Sequence, residues 1–300
     1  MVYLTQLESY QQAAEVAQTL LGVCIDSSQL YRLATYYGQA IASDLDQPLA
    51  DEISLPEVVY VQADGCMILT EEGYKETKLA RIFKASDLQE SVVEERGGHI
   101  SASLYTAHLG SAADFSVKLK PHLNAYESLG SELVFISDGA VWLRRLMEHH
   151  CPQATLILDL YHAASYIGQA AQAAFGAGVR AEKWLQEQRL LLIDSHLDEV
   201  LIHLKALPID SKLCNSIEQY LKANRDRMDY AAYRQRGLLI GSGAIESAHR
   251  TVIQKRLKRA GQRWSRLGAQ YVLNLRVCAM SNRWELVRNR IEPYPYQSAA

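Results

Sequence analysis

Three acidic residues, far apart in the chain, have the types and positions that could do chemistry. Asp64 ends the β-branched run that begins at Val58, and a glycine follows it. Asp138 ends a second run of the same kind, which begins at Leu133. Such runs predict buried strands that carry an aspartate to one edge of a sheet. Glu246 follows a glycine-rich loop at the start of a predicted helix. Together the three residues predict a carboxylate site for divalent cations.

The chemistry of such a site is phosphoryl transfer. Mg²⁺ prefers oxygen ligands and is usually held by a few carboxylates together with substrate phosphates. Two ions about 3.5 to 4 Å apart can activate the attacking oxygen and stabilise the leaving oxygen of an in-line displacement. We expect Asp64 to bridge two Mg²⁺ or Mn²⁺ ions, Asp138 to hold one of them and Glu246 the other. No protein nucleophile is then needed.

Each acid also has a structural interpretation. An aspartate before glycine is often a turn former or a helix cap, and Glu246 lies four residues before Arg250, the spacing of a surface ion pair. Asp159 and His162 follow a further short strand. They are either additional metal ligands or, as we favour, residues beside the metal ligands that orient the neighbouring loop.

The C-terminal region is strongly basic. Residues 225 to 290 contain 15 Lys and Arg against four acids, although the whole chain has a net charge of −3. Such a surface predicts contact with a polyanion, or else an intramolecular match to the acidic N-terminal part. On the helix that follows Glu246, apolar residues recur at helical spacing and basic residues occupy the other side. The residues predicted to bind DNA are Arg250, Lys255, Lys258, Arg259, Arg263, Trp264 and Arg266.

The order of predicted elements indicates an α/β fold in four segments. Residues 1–50 are helical, and Asp44 to Pro56 reads as a linker. Within residues 51–162, three antiparallel strands followed by βαβ segments predict an RNase H-like mixed sheet flanked by helices. Residues 163–235 predict an all-helical insertion, and residues 236–290 complete the core with the basic helices.

Finer boundaries follow from the same patterns. The first strand is expected to end at Gly65, and a third strand spans His99 to His108. Single helices are expected from Cys214 to Tyr233 and from Gln262 to Val287.

The N-terminal helices form a possible helix-turn-helix. Residues 22 to 25 break the helical pattern, and Asp26 or Ser27 can cap the second helix. Ser28, Gln29 and Arg32 would then lie where a recognition helix touches base edges. Any helical hairpin gives the same pattern.

Composition narrows the classes of protein. No apolar run approaches the roughly 20 residues of a membrane span, and the N-terminus has no signal-peptide pattern, so we expect a cytoplasmic, nucleoid-associated protein without a membrane partner. The five cysteines never form Cys-x-x-Cys, which argues against a zinc ribbon or a disulfide framework.

Several of these motifs together resemble a known family. The sequence is similar to the RNase H-like DDE transposases of bacterial insertion sequences, specifically the ISKra group, with looser similarity to Mutator-type enzymes. The motifs that carry the resemblance are Ala63-Asp64-Gly65, Ser137-Asp138-Gly139, residues 158 to 162, residues 224 to 230, and residues 241 to 247 continuing into 256 to 265. The resemblance implies that Asp64, Asp138 and Glu246 are the catalytic triad. It further implies that Asp159 and His162 match an Asp-or-Cys-x-x-His signature, and that the helical insertion belongs to the fold.

The expected function is therefore transposition of DNA. The chain would hydrolyse a phosphodiester at the element's ends and join the 3′-hydroxyl to target DNA, acting on double-stranded DNA as a homo-oligomer and using no small-molecule substrate. Related transposases usually carry a longer N-terminal region, so we expect a shortened copy or a fragment. The alternatives are a nuclease or resolvase of the same fold without strand transfer, and an inactive DNA-binding descendant. A serine or tyrosine recombinase would leave the acidic triad unexplained.

Overall fold

A computed structural model of the chain describes residues 1–48, 56–89 and 98–291. The strands are β1 (Val58–Thr70), β2 (Gly73–Lys84), β3 (Leu88–Gln89), β4 (His99–Ile100), β5 (Leu104–Leu109), β6 (Glu132–Ser137) and β7 (Thr155–Leu158). Five of them form one mixed sheet in the order β5-β2-β1-β6-β7, and β3 pairs with β4 in a separate ribbon. Three antiparallel strands are thus followed by a parallel βαβ unit, as the sequence predicted. Most of the predicted linker lies outside the described residues.

Strand β1 is longer than predicted and forms a hairpin with β2. Its register runs without a break from Val59 opposite Lys84 to Thr70 opposite Gly73. Asp64 pairs with Leu79 in the middle of β1, so the expectation that the strand ends there is wrong. Antiparallel pairing with β2 satisfies the backbone on both sides of the Asp-Gly pair, and the chain reverses only at residues 71 and 72. The predicted third strand is likewise divided between β4 and β5.

Contacts divide the chain into two compact units. The first consists of Met1–Leu133 and Ala244–Ala300, and the second of Val134–Gly243. The helices of the first unit are α1 (Val2–Leu7), α2 (Tyr10–Leu21), α3 (Ser27–Ala40), α4 (Ala42–Leu45) and α5 (Ala112–Ser128). Those of the second are α6 (Val141–His150), α7 (Leu160–Phe175), α8 (Val179–Ile193), α9 (Leu197–Lys205), α10 (Ser211–Ala223) and α11 (Tyr230–Gln235).

A long broken helix begins at the boundary of the units. It consists of α12 (Gly243–Ala248), a π-helical segment (His249–Gln254) and α13 (Lys255–Leu257). The last helices are α14 (Arg266–Met280) and α15 (Glu285–Arg288). None of the helices in the described ranges combines the length and the apolar character needed to cross a bilayer.

The N-terminal helices pack against α14 in the first unit. Asp26 caps α3 with a full capping box, since its carboxylate accepts from the backbone of Gln29 and the Gln29 side chain accepts from the backbone of Asp26. Gly38 lets α3 approach α14 closely, because a Cβ there would lie 2.3 Å from the carbonyl oxygen of Tyr271. The N-terminal segment therefore shares its hydrophobic core with the C-terminal helices.

Two predicted helices are broken by polar caps. The helix expected from Cys214 to Tyr233 ends at Ala223 and resumes as α11, whose first turn is capped by Asp229. The helix expected from Gln262 starts only at Arg266, because the Ser265 hydroxyl accepts from the backbone of Gly268 as an N-cap. Side-chain competition for backbone N–H groups sets these boundaries, and the apolar spacing alone did not reveal it.

Candidate active site

Asp64 lies within the first unit, at the point where β1 changes from a buried run, residues 59 to 63, to half-buried and exposed residues. Its side chain is 42% exposed, and its Oδ1 accepts a hydrogen bond of 2.6 Å from the backbone of Gly65. A partly exposed acid that follows a buried run is a position where charge can meet a ligand at modest desolvation cost.

Glu246 occupies the first turn of α12 in the same unit. The helix is tied to β1 by the backbone N–H of Ile245, which donates to the buried Gln62 side chain at 3.0 Å. It is tied to β2 by Arg81, whose guanidinium donates to the carbonyl of Ala244 at 3.1 Å. Because Gln62 precedes Asp64 by two residues, both point to the same face of β1. Two of the three predicted acids are therefore attached to one strand, and the Glu246 side chain is exposed.

His249 is a residue that the sequence analysis missed. Its ring is 4% exposed, and its Nε2 lies 3.4 Å from Oδ2 of Asp64. Neither ring nitrogen makes a well-aligned hydrogen bond within the described residues. Burial, followed by the positive charge of Lys258, lowers the pKa of His249 to about 4, so the ring is neutral at pH 7. The sequence did contain a signal for His249, because residues three apart on one helix are neighbours and His249 follows Glu246 by three.

The π-helical segment starts at this histidine. The wider turn of a π-helix shifts the side chains after it relative to an α-helix, and such segments are frequent at functional sites. Within this segment and just after it, Val252, Ile253 and Leu257 are buried, which confirms the apolar side predicted for this helix.

Asp138 lies in the second unit, directly after β6. Its Oδ1 accepts from the backbone of Ala140 at 2.9 Å, and its carbonyl oxygen accepts from the hydroxyl of Tyr220 at 2.8 Å. Gly139 follows with a φ of +92°, a conformation that side chains other than glycine rarely adopt. This turn fixes the direction in which the half-buried Asp138 leaves the strand.

Asp159 acts as a structural clamp within the second unit. It is 3% exposed and caps α7, with Oδ1 accepting from the backbone of Tyr161 at 2.6 Å and of His162 at 3.1 Å. Its Oδ2 accepts from the backbone of Ser242 at 3.0 Å and from the Ser242 hydroxyl. The carboxylate thus fastens the glycine-rich loop four residues before Glu246. His162 takes part through its backbone, and its ring lies beside Tyr166.

The basic residues fall into two groups. Arg250, Lys255, Lys258, Arg263 and Arg266 are exposed. Arg259 is half-buried, pairs with Glu8 at 2.7 Å and donates to the carbonyl of Leu7. Trp264 is 7% exposed and donates from its indole nitrogen to the carbonyl of Leu257.

Two further arginines, Arg256 and Arg276, are buried against the N-terminal helices. Arg256 donates to the carbonyl of Thr5, and Arg276 to both the side chain of Gln6 and the carbonyl of Val252. Part of the C-terminal positive charge is therefore used inside the molecule.

The donor chemistry of the three acids fits a hard divalent cation. All three offer carboxylate oxygens, and all are at least partly exposed. Within the described residues, no three His, Cys, Asp or Glu side chains gather closely enough to hold a metal ion. Mg²⁺ is commonly held by one or two carboxylates completed by substrate phosphates, so the convergence of all three acids stays a prediction.

Comparison with known proteins gives two results. The family described as "Uncharacterised protein family (UPF0236)" matches residues 4–289. The chain is also 22% identical over 296 residues to the "UPF0236 protein in vanSb 3'region" of Streptococcus gallolyticus. That match covers 95% of this chain and 63% of the relative's length.

Proposed function

The chain belongs to the uncharacterised protein family UPF0236, and we propose that it is a DNA transposase of the DDE type. It hydrolyses a phosphodiester at the ends of a mobile element and joins the freed 3′-hydroxyl to target DNA. The observation that carries this proposal is the attachment of the Glu246 helix to the strand of Asp64, through the bond from Ile245 to Gln62. Further support comes from the motifs by which the sequence resembles DDE transposases.

Asp64, Asp138 and Glu246 are the residues assigned to hold two Mg²⁺ or Mn²⁺ ions, which when bound supply charge stabilisation for in-line phosphoryl transfer. The protein's part is to orient these acids. His249 limits the directions open to the Asp64 carboxylate, and the Asp159 clamp fixes the loop that leads into α12.

The exposed basic side chains are the proposed DNA-binding residues. Arg250, Lys255 and Lys258 lie within 12 residues of Glu246 in the chain, and Arg263 and Arg266 follow. Contacts of Lys and Arg with phosphates release counterions, so binding should weaken steeply with salt. Because two element ends must be held together, a homo-oligomer on nucleoid DNA is part of the proposal.

An RNase H-like core and an N-terminal helix-turn-helix are also part of the proposed function. The sheet order supports an RNase H-like core, and α2 and α3 support a helix-turn-helix. Ser28, Gln29 and Arg32 are exposed near the start of α3, where a recognition helix would touch base edges.

Cleavage of cognate DNA tests the proposal. The substrate is duplex DNA containing the sequences that flank the chain's own gene, incubated with Mn²⁺ or Mg²⁺. We expect Asp64→Asn and Glu246→Gln to abolish nicking while DNA binding is retained, and Glu15→Gln, an exposed acid on α2, to cut like the parent. Nicking that survived Asp64→Asn would overturn the assignment.

Strand transfer separates this proposal from its closest rival, a nuclease of the same fold. Pre-cleaved ends with free 3′-hydroxyls are offered together with a supercoiled plasmid. A transposase gives joined products, whereas a nuclease only cuts. A binding protein without activity would instead tolerate Asp138→Asn and lose its effects on Arg263→Ala.

A further inference from the structure

A cleft in the first unit is lined by residues other than Asp64, Asp138 and Glu246. It has an open volume of about 400 Å³ and is lined by three aromatic rings, those of Tyr10, Tyr31 and Trp264. Sites for small organic ligands commonly have volumes of about 300 to 1,000 Å³. The cleft is therefore large enough for one planar group of nucleotide size.

The cleft is built around a buried arginine. Arg256 is 1% exposed, and its guanidinium carbon lies 5.0 Å from the centre of the Tyr10 ring and 4.8 Å from that of Trp264. Burial lowers the pKa of Arg256 to about 10, so it remains charged at neutral pH. Within the described residues no carboxylate forms an ion pair with Arg256, and the nearby Glu8 pairs with Arg259.

Two polar atoms of the cleft-lining residues lack hydrogen-bond partners. Arg256 donates from Nε to the carbonyl of Thr5 at 2.8 Å, but its Nη2 has no acceptor in the described part of the chain. The hydroxyl of Tyr10 is likewise buried without a partner. Buried donors are rarely left in this state unless a ligand or water completes them.

The remaining polar groups define the ligand further. Arg263 is exposed and places a second positive charge at the cleft, while Glu71 supplies an exposed carboxylate that can accept from an amino group. Tyr31 is 41% exposed, and its ring meets that of Tyr10 at nearly a right angle with centroids 5.7 Å apart, so the two rings are not stacked on each other. Aromatic rings, together with two arginines, Arg256 and Arg263, against the single carboxylate of Glu71, suit a nucleobase with its phosphate.

We infer that this cleft receives a single unpaired nucleobase of a bound DNA strand, stacked on Tyr31, with the adjacent phosphate at Arg263. The inference rests on the DNA binding of the proposed function, but not on catalysis. A base that has left the helical stack needs an aromatic surface to replace its neighbours.

The test is a binding experiment in EDTA, in which no cleavage can occur. Two duplexes of equal length are compared, one fully paired and one with a single unpaired 2-aminopurine, using fluorescence and anisotropy. We expect the duplex with the unpaired base to bind about tenfold more tightly, which corresponds to about 1.4 kcal/mol, and its fluorescence to be quenched on binding.

Matched variants on α3 provide the control. Tyr31→Ala should remove the preference for the unpaired base, whereas Tyr36→Ala, which changes an exposed tyrosine outside this cleft, should keep it. Circular dichroism verifies that both variants are folded. Equal binding of the two duplexes by the parent, or equal behaviour of the two variants, would overturn the inference.

Free deoxyadenosine monophosphate distinguishes the source of the base. If it displaced the unpaired-base duplex at concentrations near that duplex's own Kd, the cleft would be a site for free nucleotides and the assignment to DNA would be wrong. Failure of the proposed transposase is separate, because it would appear as absent nicking with Mn²⁺ while the preference for the unpaired base persisted.

Discussion

The Asp159 clamp gives the sharpest prediction about the second unit. Replacing Asp159 with alanine removes the cap of α7, worth about 1 kcal/mol, and the charge-assisted bonds from Ser242, worth about 1.5 to 3 kcal/mol. Because Asp159 and Ser242 are both buried, solvent cannot replace these contacts at once. We expect the local opening free energy around Ser242 to fall by about 2.5 to 4 kcal/mol, the sum of the two contributions.

Amide hydrogen exchange measures this loss residue by residue. The backbone amides of Tyr161, His162 and Ser242 donate to Asp159, so all three should exchange roughly 60- to 700-fold faster in Asp159→Ala, at about tenfold per 1.4 kcal/mol. In Asp159→Asn the remaining oxygen can still cap α7 while the new amide faces the Ser242 N–H. Only Ser242 should then lose protection.

A matched control exists in the same unit. Asp210 caps α10 through the backbone of Lys212 and Leu213, and its side chain accepts no hydrogen bond from a second loop within the described residues. Asp210→Ala should therefore cost only about 1 kcal/mol, near α10 alone. If Asp159→Ala changed exchange no more than Asp210→Ala does, the clamp would have no energetic role. If instead Mn²⁺ protected these amides in the parent and not in Asp159→Asn, Asp159 would be a metal ligand.

Three further predictions concern the first unit. His122 is buried, and burial first of all lowers its pKa to about 4, so the fold favours the neutral ring. The free energy of unfolding should therefore be at its full value above pH 6.5 and fall by about 3 kcal/mol as the pH drops to 4. Urea unfolding measures this loss, which should be absent in His122→Gln. Gly38→Ala should destabilise by about 1 to 3 kcal/mol through overpacking against Tyr271, whereas Gln39→Ala on the exposed side should be nearly neutral in the same assay. His249→Ala should slow DNA nicking by about 10- to 100-fold at unchanged DNA affinity, because Asp64 loses its neighbour; a rate equal to that of the parent would show that the contact of 3.4 Å positions nothing.

Local patterns in the sequence determined much of the fold. The spacing of Ile245, Val252 and Leu257 predicted the buried side of the Glu246 helix. Two candidate caps, Asp26 and Ser27, predicted where α3 starts, and Asp26 is the cap. These predictions were correct because helical periodicity and capping depend on residues within one or two turns of each other. The succession of strands along the chain was also predictable, because each strand has its own apolar run.

Only the tertiary structure decided which distant side chains meet. Asp64 lies within a strand rather than at its end because pairing with β2 continues past it. His249 beside Asp64, Ser242 on Asp159, and Arg256 under Tyr10 join residues far apart in the chain. Their types gave no hint of these partners, since whether an arginine faces DNA or the core depends on which surface its helix buries, and packing of the whole unit settles that.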